Sequence, residues 1–258
     1  MHFVGSKGGE GIAQWIISAM PHHSVYVECC LGKGKVMLTK LPAAENIGIE
    51  ASSKVISNYW AGPIDNFELI HGNALDELAK MDLPQDALVY ADPPYLMETR
   101  SCKRRYYDNE LLTIPDHQRL LSVLQELPCY VMLSGYWSEL YAQTLPTWRT
   151  SWKWTVNRRG KLVKEWLWMN FPEPTFFHDT RFTGSDFTDR QRIKRKADRW
   201  RKKFVSMGPS ERMAVMDALL SVVDDRSQSE ATIRTEQSDL TLRDPIAISE
   251  FGGRNSQK

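Results

Sequence analysis

The amino-acid sequence predicts an α/β domain with a mostly parallel, Rossmann-like sheet and helices on both of its faces. Two observations carry this prediction. In the first half of the chain, short β-rich runs alternate with helical patterns, and connections of this length are what parallel neighbouring strands require. Further along, two segments of large residues at every second position predict a closing antiparallel hairpin, which gives a seven-stranded sheet in all.

The predicted elements of the sheet follow this order along the chain. Strands are expected at Val25 to Glu28, Asn46 to Glu50, Phe67 to His71 and Ala87 to Ala91. After the first strand, a glycine turn leads into a helix predicted to open at Lys35 to Leu38. The leucines of Asp116 to Leu127 share one helical face, and Tyr130 to Ser134 is a fifth strand. The hairpin then joins Trp148 to Val156 with Glu165 to Asn170.

A C-terminal helical appendage is predicted after the hairpin. Thr188 to Gln191 fits a capping box that opens a helix with an apolar stripe from Ile193 to Phe204. A second helix from Ser210 carries apolar residues that we expect to pack on this stripe. The expected division is a main domain at 1–172, a basic appendage at 173–224 and a disordered tail at 225–258, where large apolar residues are scarce.

Composition excludes several classes of protein. The 258 residues are 42% hydrophobic, enough for one sizeable core, and no apolar run is long enough to span a membrane. We therefore expect a cytoplasmic protein. The four cysteines are adjacent or scattered and match neither a disulfide framework nor zinc-ligand spacing. His22 and His23 have no ligand partner at metal spacing and read as a polar turn, so no metal is expected.

Positive charge begins abruptly in the middle of the chain. Residues 1–100 hold 7 Lys and Arg against 12 Asp and Glu, whereas residues 101–224 hold 21 against 14. Nine of the fourteen residues from Arg190 to Lys203 are Lys or Arg. This pattern fits a solvated helix face. Because few acidic residues lie nearby, however, binding of a polyanion such as nucleic acid is favoured.

The tetrapeptide Asp92-Pro93-Pro94-Tyr95 is the first candidate for chemistry. It follows a buried strand, at the edge where open α/β sheets bind ligands. Two prolines make a rigid turn without amide donors, which suits an amino group as ligand. The Asp92 carboxylate and the Pro93 carbonyl would accept its hydrogens, and Tyr95 would stack on an extruded base. Alone, the sequence fits equally a turn that closes a strand.

Residues upstream at ordered spacing favour the active-site interpretation. Gly32 and Gly34 form a turn directly after the first strand, where a backbone without side chains approaches a ligand closely. The turn has two glycines, whereas a dinucleotide-binding fingerprint has three. The motif therefore does not require a dinucleotide and is compatible with a smaller adenosyl ligand. Glu50 ends the next strand, where an acidic side chain binds ribose hydroxyls.

Taken together, these motifs resemble those of the D12 class of adenine-specific DNA methyltransferases, which includes the Dam enzymes. The resemblance runs from about residue 3 to 172. Its parts are the opening Phe3 to Lys7, Glu28 to Gly34 with Cys29 and Cys30 in place of Pro and Phe, Ile49-Glu50, His71 to Ala74 with Asn73 in place of a frequent Asp, the complete Asp92 to Tyr95, and the later Met132 to Tyr136 and Glu165 to Asn170.

The resemblance implies an S-adenosylmethionine-dependent methyltransferase fold and transfer of a methyl group to N6 of a flipped adenine in DNA. Asp92, Pro93, Pro94 and Tyr95 would be catalytic. The cofactor-binding residues would be Lys7, Glu28, Gly32, Gly34, Glu50, Asn73 and Asp92. A phage or restriction-avoidance role is a further implication, and the oligomeric state stays open.

The chain departs from Dam enzymes in one important respect. Only eighteen residues separate Asn73 from Asp92, too few for the long target-recognition region that those enzymes carry there. Recognition would pass to cationic segments downstream. Their candidate residues are Arg100, Lys103, Arg104, Arg105, Arg158, Arg159, Lys161, Arg192, Arg195 and Arg199. Such residues bind phosphate whatever the sequence, so we expect short or relaxed sequence specificity.

Two other functions remain open from the sequence. An RNA adenine N6-methyltransferase shares the cofactor site and the chemistry, and basic segments bind either polymer. A non-catalytic DNA-binding protein on a methyltransferase frame is suggested by Cys29, Cys30 and Asn73, which depart from the motifs. A cytosine N4 enzyme is disfavoured, because Asp at position 92 is more typical of adenine enzymes.

Overall fold

The computed structural model describes residues 7, 11–59, 64–100, 113–157 and 160–222. The predicted tail at 225–258 lies outside these ranges. Two compact units divide the chain between Lys194 and Arg195, within one helix. The domain boundaries at 172 and 224 stay predictions.

The described strands form a single sheet, as the alternating pattern predicts. Its members are β1 (Val25–Cys29), β2 (Glu45–Glu50), β3 (Phe67–His71), β4 (Leu88–Ala91), β5 (Tyr130–Gly135), β6 (Arg149–Val156) and β7 (Leu162–Met169). The order is β3-β2-β1-β4-β5-β7-β6. The first five strands pair in parallel, and β7 is antiparallel to both β5 and β6. The predicted fold class, a seven-stranded, mostly parallel Rossmann-like sheet with a closing antiparallel hairpin, is confirmed.

Helices cover both faces of this sheet. They are α1 (Ile12–Ser18), α2 (Ser53–Tyr59), α3 (Ala74–Leu78), α4 (Ile114–Glu126) and α5 (Glu139–Thr144). A further helix, α6 (Phe187–Ser206), follows the hairpin in the chain. Alternate residues of β4 serve different cores, since side chains of a strand point to opposite faces. Val89 packs with α3, α4 and α5, whereas Leu88 and Tyr90 pack with α1. Each face therefore buries its own apolar cluster.

Two local predictions about helices are wrong. Residues 35–39 form turns instead of opening a helix. The hydrogen bonds of this segment are irregular, because the Thr39 and Lys40 amides both donate to the Val36 carbonyl oxygen, while the Met37 amide donates to the buried Glu28 carboxylate at 2.7 Å. The helix α6 begins at Phe187, before the predicted capping box, because Asp186 caps it by accepting from the Asp189 amide at 2.8 Å.

The predicted packing of the appendage is also wrong. Residues 209–222 are helical, but Met213 and Leu219 are more than half exposed. The helix α6 contains no buried residue. Its few large apolar side chains are outnumbered by cations, so the stripe is too narrow to support a core. Among the described residues, no helix is long and apolar enough to cross a membrane.

A buried histidine stack replaces the polar turn predicted at residues 22 and 23. His22 is exposed, but His23 is buried and stacks on His178 with ring centroids 3.8 Å apart. The Nδ1 of His23 lies 2.8 Å from the Pro21 carbonyl oxygen. Burial, with the charges of His178 and Lys40, lowers the pKa of His23 to about 2. The ring is therefore neutral in the folded protein.

This stack predicts a pH effect on stability. Below pH 6.5 the unfolded chain protonates residue 23 and the folded chain does not, so stability is lost as the pH falls. The loss is about 2 kcal/mol between pH 7 and pH 5. Burial raises the pKa of Glu28 to about 8, which acts in the opposite direction in the same range. The effect is therefore measured as a difference between wild type and His23→Gln, both of which retain Glu28.

Urea unfolding at pH 7, 6 and 5 measures this difference. As the pH falls, the free energy of unfolding of His23→Gln should rise relative to that of the wild type. His71→Gln, which changes an exposed histidine, is the matched control and should follow wild type. Parallel pH curves for wild type and His23→Gln would contradict the neutral, buried ring.

Candidate active site

The candidate site lies where the strand order reverses between β1 and β4. Chain connections leave these neighbouring strands in opposite directions, which opens a crevice at their carboxyl ends. Asp92 directly follows β4, and its amide donates to the Cys29 carbonyl oxygen at the end of β1, 3.4 Å away. The catalytic candidates and the glycine turn therefore meet at one edge of the sheet.

The carboxylate of Asp92 is held in place by two neighbours. The Lys7 Nζ lies 2.7 Å from Asp92 Oδ1, and the Ser134 hydroxyl donates to the same oxygen at 2.9 Å. Ser134 belongs to β5 and is itself 3.0 Å from the Tyr90 hydroxyl. Among the described residues, Asp92 Oδ2 has no hydrogen-bond partner, so one oxygen is left to accept from a ligand.

Lys7 joins the candidate catalytic loop, residues 92–95, to strand β7 of the hairpin. Its ammonium group donates to the Glu165 carboxylate at 2.5 Å and to the Tyr95 hydroxyl, in addition to its ion pair with Asp92. Tyr95 in turn donates to the same Glu165 oxygen. Three N–H donors thus meet three acceptors. The Tyr95 ring is fixed at its hydroxyl end and packs edge-on against Tyr136, with centroids 4.6 Å apart.

Charge in this cluster follows from burial and pairing. Burial by itself would lower the pKa of Lys7, but the carboxylates of Asp92 and Glu165 outweigh it and raise the pKa above its ordinary value. Lys7 is therefore a stable cation. Burial raises the pKa of Glu165 despite Lys7, and burial with the nearby carboxylates raises that of Tyr95. Tyr95 thus stays a neutral hydroxyl at neutral pH.

Glu165 is a site residue that the sequence analysis did not single out. It is 4% exposed and lies on β7, with the buried Leu167 and Met169 on the same strand face. An acidic residue in register with buried apolar neighbours was the available signal, because buried carboxylates are rare unless paired.

The glycine turn at the other side of the crevice has an unusual backbone. Gly32 and Gly34 have φ of +56° and +58°, and Cys30 has +61°. This left-handed region costs other residues about 1–2 kcal/mol, which explains glycine at two of the three positions. Strain at Cys30 adds to the view that this turn is built for a ligand.

Glu50 ties the turn to the end of β2. Its carboxylate accepts from the Gly32 amide at 2.8 Å and from the Ser52 amide at 2.9 Å. A carboxylate oxygen can accept two hydrogen bonds, so both oxygens of Glu50 retain capacity for the hydroxyls of a ribose. These acceptors and the glycine turn therefore fit the adenosyl part of S-adenosylmethionine.

Two further cofactor-binding candidates, Glu28 and Asn73, make hydrogen bonds to other groups of the protein. Glu28 is buried, and its Oε2 accepts from the Tyr26 hydroxyl and the Met37 amide. It supports the segment after the glycine turn from inside the core. Asn73 is exposed at the end of β3, where its side-chain oxygen caps α3 by accepting from Leu75 at 2.9 Å.

The nucleic-acid candidates are spread over several elements. Arg100 is half-buried and donates from Nε to the Tyr95 carbonyl oxygen at 2.5 Å, so it also braces the catalytic loop. Lys161 is exposed in the hairpin turn, and Arg192, Arg195 and Arg199 are exposed on α6. The candidates Lys103, Arg104, Arg105, Arg158 and Arg159 lie outside the described residues.

Within the described ranges, no three His, Cys, Asp or Glu side chains come together as a group that would hold a metal ion. Cys29, Cys30 and Cys129 are free thiols. Cys102 lies outside the described residues.

Comparison with known proteins bears on this site directly. Residues 64–154 match the model of the D12 class N6 adenine-specific DNA methyltransferase family. This region covers about a third of the chain and includes the complete Asp92 to Tyr95 loop. No curated protein matches the chain.

Several solved structures are similar in fold. A dimethyladenosine transferase from Plasmodium falciparum is 18% identical, with 66% of this chain and 64% of that chain covered and a TM-score of 0.39. An S-adenosylmethionine-dependent methyltransferase from Agrobacterium tumefaciens is 14% identical, with 61% and 58% covered and a TM-score of 0.41. TrmK of M. capricolum, bound to S-adenosylhomocysteine, is 8% identical, with 82% and 96% covered and a TM-score of 0.41. These similarities are too low to bear on the substrate.

The family match falls on the strand and loop that form the crevice, and the sheet is mostly parallel with a closing antiparallel hairpin, as the sequence predicts. The chain therefore has a Rossmann-like α/β fold, and its residues 64–154 match the model of the D12 class of N6 adenine-specific DNA methyltransferases.

Proposed function

We propose that this enzyme transfers a methyl group to the N6 amino group of adenine in DNA. The observation that carries the proposal is the Asp92 carboxylate, held by Lys7 and Ser134 beside the Tyr95 ring at the carboxyl end of β4. The D12 match over this loop supports adenine as the base and DNA as the polymer.

The residues of the loop suit the chemistry of an exocyclic amine. Its nitrogen is a weak nucleophile while its lone pair is delocalised into the ring. The free Oδ2 of Asp92 and the Pro93 carbonyl accept the two amino hydrogens, which favours a pyramidal nitrogen with an available lone pair. S-adenosylmethionine supplies an electrophilic methyl group bonded to a sulfonium. Transfer of that methyl group to the nitrogen would leave S-adenosylhomocysteine, and Asp92 would accept the proton that the amine loses and pass it to water.

Lys7 and Glu165 position these groups without touching the methyl group. The ammonium of Lys7 holds Asp92 Oδ1, which turns Oδ2 outward to the crevice. Glu165 fixes both Lys7 and the Tyr95 hydroxyl, so the tyrosine ring is ready to stack on a flipped adenine. Flipping costs a few kcal/mol of lost base stacking, and a preformed stacking partner offsets part of that cost.

Recognition in this proposal depends on cations rather than on a dedicated recognition domain. Lys161 and the exposed arginines of α6 contact phosphates, which sets affinity but carries no sequence information. The recognition sequence is accordingly short, or the sequence specificity is relaxed.

Methyl incorporation into three matched polymers tests the proposal. The enzyme is incubated with labelled S-adenosylmethionine and duplex DNA, single-stranded DNA or RNA of the same sequence, and products are mapped at base resolution. We expect N6-methyladenine in DNA, at sites with at most about four defined bases. Incorporation into RNA alone would contradict the DNA assignment, and a single site of five or more bases would contradict relaxed specificity.

A further inference from the structure

A row of tryptophans runs from the residues just after β5 along one face of the β6–β7 hairpin. We define this Trp row as Trp137, Trp166, Trp152 and Trp154. Neighbouring ring centroids are 4.7 Å, 6.3 Å and 5.9 Å apart in that order. Trp137, Trp152 and Trp154 are 46%, 43% and 50% exposed. So much indole surface in water is unfavourable, and contiguous exposed apolar surface of this kind marks an interaction site.

The Trp row begins at the catalytic loop. Trp137 directly follows Tyr136, whose ring packs against Tyr95. β5 ends at Gly135, which pairs with Trp166. Residues 162–165 of β7 and their β6 partners therefore extend past the carboxyl end of β5, the same edge that carries Asp92. A polymer whose adenine enters the crevice has this aromatic surface within reach.

The charge of the hairpin indicates which polymer fits. Residues 149–169 hold six Lys and Arg and one acid, Glu165. That acid is buried against Lys7 and does not reach the aromatic face. On that face the Lys164 Nζ lies 3.9 Å from the Trp152 ring centroid and 5.3 Å from that of Trp154. The face is therefore both aromatic and cationic.

Aromatic rings interleaved with cations are the features that bind unpaired nucleic acid. Bases stack on the rings whatever their identity, and the cations contact the phosphates. In a duplex the base faces are stacked on one another, so they cannot stack on the indole rings. A second copy of this chain fits less well, because a twofold contact would bring the like charges of the two hairpins together.

We propose that the Trp row binds unpaired bases of the DNA strand that carries the target adenine. This inference rests on the proposed function for its choice of DNA. It adds a substrate class, unpaired or locally melted DNA, and a binding site outside the catalytic loop.

Binding of an adenine-free probe tests the Trp row separately from catalysis. The probe is a fluorescent 20-mer of thymidine, measured by anisotropy with the full chain at fixed salt. Each of Trp152→Ala and Trp154→Ala should weaken binding by at least about fivefold, the low end of a lost base–aromatic stack. Trp154→Phe keeps a ring and should retain most of the affinity. Binding of the probe should also quench tryptophan fluorescence less in the alanine variants.

The matched control is Phe176→Ala, which removes an exposed aromatic residue outside the hairpin. It should bind the probe like wild type, and duplex DNA should bind all these variants within about twofold. Unchanged probe binding in both tryptophan variants would overturn the proposal. So would binding of oligouridine but not oligothymidine, or self-association that disappears in Trp152→Ala.

The two proposals fail in different ways. If the enzyme methylates no adenine but oligothymidine binding still depends on Trp152 and Trp154, the proposed reaction is wrong and the Trp row stands. If adenine in DNA is methylated but the tryptophan variants bind oligothymidine normally, only the Trp row is wrong.

Discussion

Replacing Asp92 with alanine is expected to reduce methyl transfer by at least about a hundredfold, the usual cost of removing one preorganised group that acts on the reacting atoms. The variant loses the acceptor that faces the amine, while Lys7 keeps its contact with Glu165 and the fold is retained. Affinity for DNA should stay within about twofold, since phosphate contacts dominate affinity. Single-turnover incorporation of labelled methyl groups and filter binding measure the two effects.

Asp86→Ala is the matched control for this experiment. Asp86 is an exposed aspartate just before β4, at the opposite end of the strand from Asp92. Its replacement should leave incorporation unchanged. Full activity in the Asp92 variant would refute the assignment of this carboxylate to the reaction.

Replacing Gly32 with aspartate is expected to weaken binding of S-adenosylmethionine by about a hundredfold. The new carboxylate lies beside Glu50, which already accepts from the residue 32 amide. Repulsion displaces the Glu50 carboxylate from the position in which we propose that it accepts the ribose hydroxyls. A lost hydrogen bond to a charged group costs about 1.5–3 kcal/mol, and every 1.4 kcal/mol is about a tenfold change in affinity. Calorimetric titration with S-adenosylhomocysteine measures the loss.

The variant Gly160→Asp is a control that separates the effect of backbone strain from the loss of cofactor affinity. Gly160 also has a left-handed backbone, with φ of +76°, but an added Cβ there meets nothing within 4 Å. This control should show a similar strain and normal cofactor binding. Equal cofactor affinity in the two variants would mean that the turn at Gly32 does not contact the cofactor.

Much of the sheet was predictable from the sequence because β1, β2, β4 and β5 are buried on both faces. β3 has the predicted bounds, and β1, β2, β4 and β5 differ from their predictions by one residue at one end. Continuous apolar runs between turn residues leave little choice of structure. Helix starts were less predictable, because a cap depends on which side chain reaches a particular amide, as Asp186 and Glu28 illustrate.

The site was predictable only in part, for a related reason. Asp92, Glu50 and Gly32 each follow a strand at its carboxyl end, so topology brings them together. The partnership of Lys7 with Glu165 joins residues 158 positions apart and has no local pattern. The inward direction of Glu28 likewise depends on which neighbours it meets in the folded core.

The contact between Lys7 and β7 means that the buried cluster around Asp92 is completed late in synthesis. Chains emerge from the ribosome amino end first. Lys7 and the Asp92 loop are made well before Glu165, and among the described strands β6 pairs only with β7. A nascent chain that ends before residue 165 therefore lacks the sheet partner of β6 and the carboxylate that accepts from Lys7 and Tyr95. The hydrogen-bonded cluster around Asp92 is complete only after β7 has joined the sheet.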